Sequence, residues 1–90
     1  MLIRIRRLHP DAILPGYAHG ASEDTGMDLH AVHGVMLERG VARVVGTGLA
    51  IEPPAGFEAQ VRPRGGLALK YSVIIPNAPG TIDPGYRGEV

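Results

Sequence analysis

Three stretches of this ninety-residue chain set charged or amide side chains beside glycine: "DTGMDLHA" (24–31), "RPRGGLALKYS" (62–72) and "NAPGTIDPGYRGEV" (77–90). In the second, Arg64 precedes Gly65 and Gly66, and unhindered backbone N–H groups beside a guanidinium can form a nest for an anion such as phosphate. The same residues also make a plain loop, with the glycines supplying positive φ and Arg64 solvated. In the third, Asp83-Pro84-Gly85 is a turn tripeptide, Asp first and hydrogen-bonding the backbone, Pro next, Gly after, which accounts for the aspartate without any chemistry. Asn77 can likewise be a turn residue, and Tyr86 one of the few rings available to a core. Asp28 lies inside an alternating stretch, where a carboxylate is disfavoured unless it faces water or a partner.

Histidines 9, 19, 30 and 33 do not make a metal set. His30 and His33 fall on a predicted strand where a spacing of three points them to opposite faces, and the chain has no cysteine to complete a tetrahedral shell. The absence of cysteine also excludes disulfides and is compatible with a reducing cytosol. Nine Lys and Arg balance nine Asp and Glu. Without a basic excess there is no counterion-release drive toward nucleic acid. Arg4, Arg6 and Arg7 interrupt the apolar start before a signal h-region can form, and no apolar run reaches spanning length. The reading is an untargeted, non-membrane protein.

The elements that must position these residues are short. Thirteen Gly and eight Pro are spread along the chain, and three-turn helices do not fit between them. Apolar and polar residues alternate at Ile3 and Ile5 against Arg4 and Arg6, at Met27, Leu29 and Ala31 against Asp28 and His30, at Leu49 and Ile51 against Glu52, and at Phe57, Ala59 and Val61 against Glu58, Gln60 and Arg62. Period two predicts strands. Turns are expected at 14–16, 38–40, 52–56, 62–66, 76–80 and 83–85, and one helical turn at 67–72. With only four aromatic residues, the core must be chiefly aliphatic. The expectation is one all-β domain over residues 1–90.

In this order and at these spacings, "TGMDLHA", "RPRGGLALK" and "NAPGTIDPGYRGEV" resemble the first three motifs of the trimeric dUTP diphosphatases (dUTPases). "LPGYA" and "GTGLAIEPPAGFEAQVRPR" are similar to that family as well, so the resemblance covers essentially all ninety residues. It implies a distorted jelly-roll (β-clip barrel), a homotrimer with each site at a subunit interface, a cytoplasmic location, and hydrolysis of dUTP to dUMP and pyrophosphate with Mg²⁺ across the triphosphate. By the same resemblance Asp83 activates the attacking water and accepts from the sugar 3′-hydroxyl. Tyr86 packs on the deoxyribose, and Asn77 with backbone groups around Gly80 and Ile82 reads uracil. Arg64 and the amides near Gly65 and Gly66 hold phosphate oxygens, and Asp28 acts behind the water shell of the metal.

Two departures stand out. The family's second motif usually has serine where this chain has Gly65, and loss of one such donor costs on the order of 10²–10³ in rate. The fourth and fifth motifs do not follow Val90, so the jelly-roll is expected to lack its C-terminal strands and the site its lid. Two other readings stay open. One is a dCTP deaminase-type relative, which shares the fold and a similar "IDPG-aromatic" turn; the other is a catalytically silent nucleotide-binding or assembly module.

Overall fold

The structure, a computed structural model, describes residues 1–90. Four strands and one helix follow in the order β1 (Arg4–Arg7), β2 (Leu49–Glu52), β3 (Ala59–Val61), α1 (Gly65–Tyr71) and β4 (Gly80–Ile82). β1 and β2 form one two-stranded sheet, β3 and β4 another. The chain divides into two compact units, Met1–Arg4 with Glu52–Tyr86 and Ile5–Ile51 with Arg87–Val90. No helix is long and apolar enough to cross a membrane.

The Ile5–Ile51 unit is organised around Gly46-Thr47-Gly48. This tripeptide receives three other segments through backbone bonds: Leu8 N–H to Gly48 O at 2.7 Å, Val32 N–H to Gly46 O at 3.0 Å, and Thr47 N–H to Val90 O at 2.9 Å. Thr47 is buried, and its hydroxyl donates to Val90 O at 2.7 Å while accepting Leu49 N–H at 3.2 Å. Gly48 N–H donates to the Glu89 carboxylate at 3.1 Å. Satisfying these polar groups lets the hub sit beside the apolar core of Ala12, Leu49 and Ile51. β2 alternates buried and half-buried residues, as its sequence predicts.

In the Glu52–Tyr86 unit, β3 and β4 pair antiparallel in the register Ala59↔Ile82, Gln60↔Thr81 and Val61↔Gly80. Ala59 and Val61 are half-buried, Gln60 is exposed, and Ile82 is buried. An ion pair between Arg4 and Glu52 at 3.1 Å lies in solvent, where such a pair contributes little. All four aromatic side chains of the protein are exposed, so the core is aliphatic as expected.

Two expectations are corrected. The alternating stretch 27–31 forms no strand, only an isolated bridge between Asp28 and Gly16, so His30 and His33 do not sit on opposite faces of one. Alternation favours a strand only where a neighbour supplies a continuous ladder, and here the neighbour offers one rung. The helix is also longer than one turn and begins earlier, at Gly65. Arg64 is extended, and Gly65 and Gly66 are helical, outside the set of positive-φ glycines. The alternating-hand nest and the positive-φ loop are therefore both absent. Pro63 keeps the preceding residue out of the helical region, so the helix starts after it. It stops at Ser72 in the left-handed region, with Ser72 N–H bonded to Ala68 O and Val73 N–H to Leu67 O.

Candidate functional site

All eight residues singled out in the second and third motifs are placed by two elements, β4 and α1, with the loops that flank them. Gly80 and Ile82 are the ends of β4. The buried Ile82 side chain anchors the chain immediately before Asp83, and Tyr86 N–H donates to Asp83 O at 3.0 Å to close the turn after it. The turn bond is thus made by the aspartate's backbone carbonyl and not, as its sequence suggested, by its side chain. Its carboxylate is exposed and makes no hydrogen bond or ion pair within the chain. Tyr86, two residues beyond Pro84, is 46% exposed and serves the surface rather than the core.

Asn77 stands in the turn closed by Ala78 N–H to Ile75 O at 3.0 Å. Its amide nitrogen lies 3.5 Å from where a β-carbon on Gly80 would be, so the missing side chain at Gly80 leaves the amide against the β4 backbone. Arg64 precedes α1, and a β-carbon added at Gly65 or Gly66 would meet nothing within 4 Å. The first N–H groups of a helix have no intrahelical acceptor, so those of Gly65 and Gly66 are donors with open space before them. The antiparallel register sends the chain that leaves β3 toward Arg64, and the chain that leaves β4 toward Asp83, off opposite ends of the ladder.

Asp28 belongs to the other unit. It is half-buried, and its N–H donates to Gly16 O at 2.8 Å. Eleven residues of chain between them form a hairpin, and at its tip the Asp24 carboxylate accepts His19 N–H at 2.6 Å and approaches His19 Nδ1 at 3.2 Å. Neither Asp24 nor His19 stands out in the sequence by residue type. No three His, Asp or Glu side chains gather as a metal cage.

The dUTPase family profile matches residues 14–90. The chain belongs to the dUTPase family. It is 74% identical, over all ninety residues, to the deoxyuridine 5′-triphosphate nucleotidohydrolase of Solibacter usitatus strain Ellin6076, covering 61% of that protein. It is 50% identical over 88 residues to the protein of the same name in Clostridioides difficile, covering 60% of it. The chain thus spans about three-fifths of the length of the curated relatives it matches. Among solved structures, a mutant dUTPase of phage phi11 of S. aureus, which coordinates a structural Mg(II) ion, superposes with a TM-score of 0.88 at 29% identity, over all of this chain and 56% of that one. A mutant dUTPase of Staphylococcus bacteriophage 80alpha with dUpNHpp gives 0.88 at 28% identity, over 99% of this chain and 50% of that one. The fold is the all-β fold of the dUTPases.

Proposed function

We propose that this chain carries the nucleotide-binding and catalytic residues of a dUTP diphosphatase that acts in the cytoplasm as a homotrimer. The observation that carries the reading is the turn after β4: an exposed, uncommitted Asp83 carboxylate between a buried anchor, Ile82, and a hydrogen-bonded turn that presents Tyr86. The anchor and the turn fix the backbone that carries this base, and its carboxylate stays free to meet a water. Asp83 takes a proton from water as the water oxygen bonds to the α-phosphorus, and the bond from that phosphorus to the oxygen bridging to the β-phosphate breaks, leaving dUMP and pyrophosphate. The names of the relatives support this substrate.

Tyr86 covers the deoxyribose and excludes a 2′-hydroxyl. Asn77, with the backbone of Gly80 and Ile82, pairs with the uracil edge, so cytosine leaves buried polar groups unmatched. Arg64 and the free amides of Gly65 and Gly66 hold phosphate oxygens. A single carboxylate, Asp28, with no surrounding cage, fits an ion held chiefly by substrate phosphates and water. Bound there, Mg²⁺ would neutralise charge on the triphosphate.

The test is pyrophosphate release by the full-length protein with Mg²⁺ from dUTP, dCTP, dTTP and UTP. Release from dUTP alone is expected. Asp83→Asn abolishes it while affinity for a non-hydrolysable dUTP analogue stays within about tenfold, since shape is kept and the base is lost. Ammonia from dCTP would indicate a deaminase instead, and tight analogue binding with no turnover a silent nucleotide-binding module.

A further inference from the structure

We infer that Asp24 is a positioning residue for Asp28, acting through a latch at the tip of the 16–28 hairpin. The inference rests on the role given to Asp28 above. Two sets of bonds hold this hairpin. At its base, Asp28 N–H donates to Gly16 O at 2.8 Å, the only bridge between its arms. At its tip, Glu23 N–H and Asp24 N–H converge on Gly20 O at 3.1 and 2.9 Å, and the Asp24 carboxylate takes His19 N–H at 2.6 Å with His19 Nδ1 3.2 Å from its other oxygen. The Gly20–Asp24 bond is in register with the Gly16–Asp28 bridge.

Residues 17–19 and 25–27 contribute no backbone rung of their own, so the backbone pairing of the arms rests on base and tip. A one-residue slip would exchange the faces of the arm and turn the Asp28 side chain away from where it now points. The tip prevents it. Gly20, at φ +102°, makes the sharp bend, and the carboxylate stands in for the missing backbone acceptor at His19. The Asp24 side chain is 23% exposed against 71% for His19, so the anchoring group is the more sheltered partner. A charge-assisted bond to a backbone N–H is shorter and stronger than a neutral one, which suits a latch that closes a loop without a ladder.

Two measurements on the full-length protein test this. The first is amide hydrogen exchange at Asp28 and His19. Asp24→Ala should speed exchange at Asp28, four residues from the change, by roughly tenfold or more as the hairpin opens. Asp24→Asn keeps an oxygen for His19 N–H and should recover most of the protection. The second is affinity for a non-hydrolysable dUTP analogue with and without Mg²⁺. Asp24→Ala should remove most of the Mg²⁺-dependent gain while metal-free affinity for dUMP stays within about threefold, because Asp28 acts only toward the metal. Wild-type protection at Asp28 in Asp24→Ala, or an undiminished Mg²⁺ gain, overturns the inference. A wild-type protein with no Mg²⁺ gain at all overturns the role of Asp28, and the exchange data still decide whether Asp24 holds the hairpin.

Discussion

At the scale of single residues, Gly65 stands where the resemblance to the dUTPases implies a serine. It is the first residue of α1, its backbone is helical, and a β-carbon there meets no atom within 4 Å. Serine therefore fits there without a clash. If the site stabilises the leaving phosphates with Arg64 and the first helical amides alone, it lacks one donor. Gly65→Ser is accordingly expected to raise kcat for dUTP by about 10²–10³, the usual effect of one such donor in a water-poor site, with KM nearly unchanged. Steady-state kinetics on the two proteins would show it. An unchanged kcat would mean that another group already occupies the place of the hydroxyl.

At the scale of elements, the hub at Gly46-Thr47-Gly48 determines whether the Ile5–Ile51 unit forms. Gly48 has φ +71°, and a β-carbon there would lie 3.0 Å from the β-carbons of Ala12 and His9 and 3.3 Å from a Val32 methyl. Gly48→Ala combines left-handed strain with overpacking and is expected to destabilise by about 2–4 kcal/mol. Gly56→Ala makes the comparison, since Gly56 has φ +84° but nothing within 4 Å, and strain alone costs about 1–2 kcal/mol. Urea midpoints at constant slope would separate the two. β2 and β3 were legible because one-sided burial writes itself as alternation, and the Asp83 turn because Pro and Gly are local signals. The hub was not, because Thr47 and Gly48 find their partners at Val90 and Glu89, 43 and 41 residues away, beyond any periodicity. The alternation at 27–31 misled for the complementary reason, a strand pattern whose neighbour offers a single rung. The site residues were named by their resemblance to a family; their residue types alone left Asp83 a turn residue and Gly65-Gly66 a loop.

At the scale of the whole molecule, the chain exposes 7013 Å². Large apolar side chains such as Met36, Val44, Leu69 and Ile74 stand in solvent. Neighbouring copies would cover such surface in the proposed trimer, where the resemblance to the dUTPases implies that each site lies at a subunit interface. If each site takes Asp83 from one copy and Arg64 from the next, two inactive variants can repair one another. Asp83→Asn and Arg64→Ala proteins, unfolded together and refolded as a mixture, should then regain turnover, with random assembly restoring both residues in about a quarter of the sites of a cyclic trimer. Each variant refolded alone stays silent. A mixture that also stays silent, in trimers shown by sedimentation to contain both chains, would place the two residues in a site built within one copy.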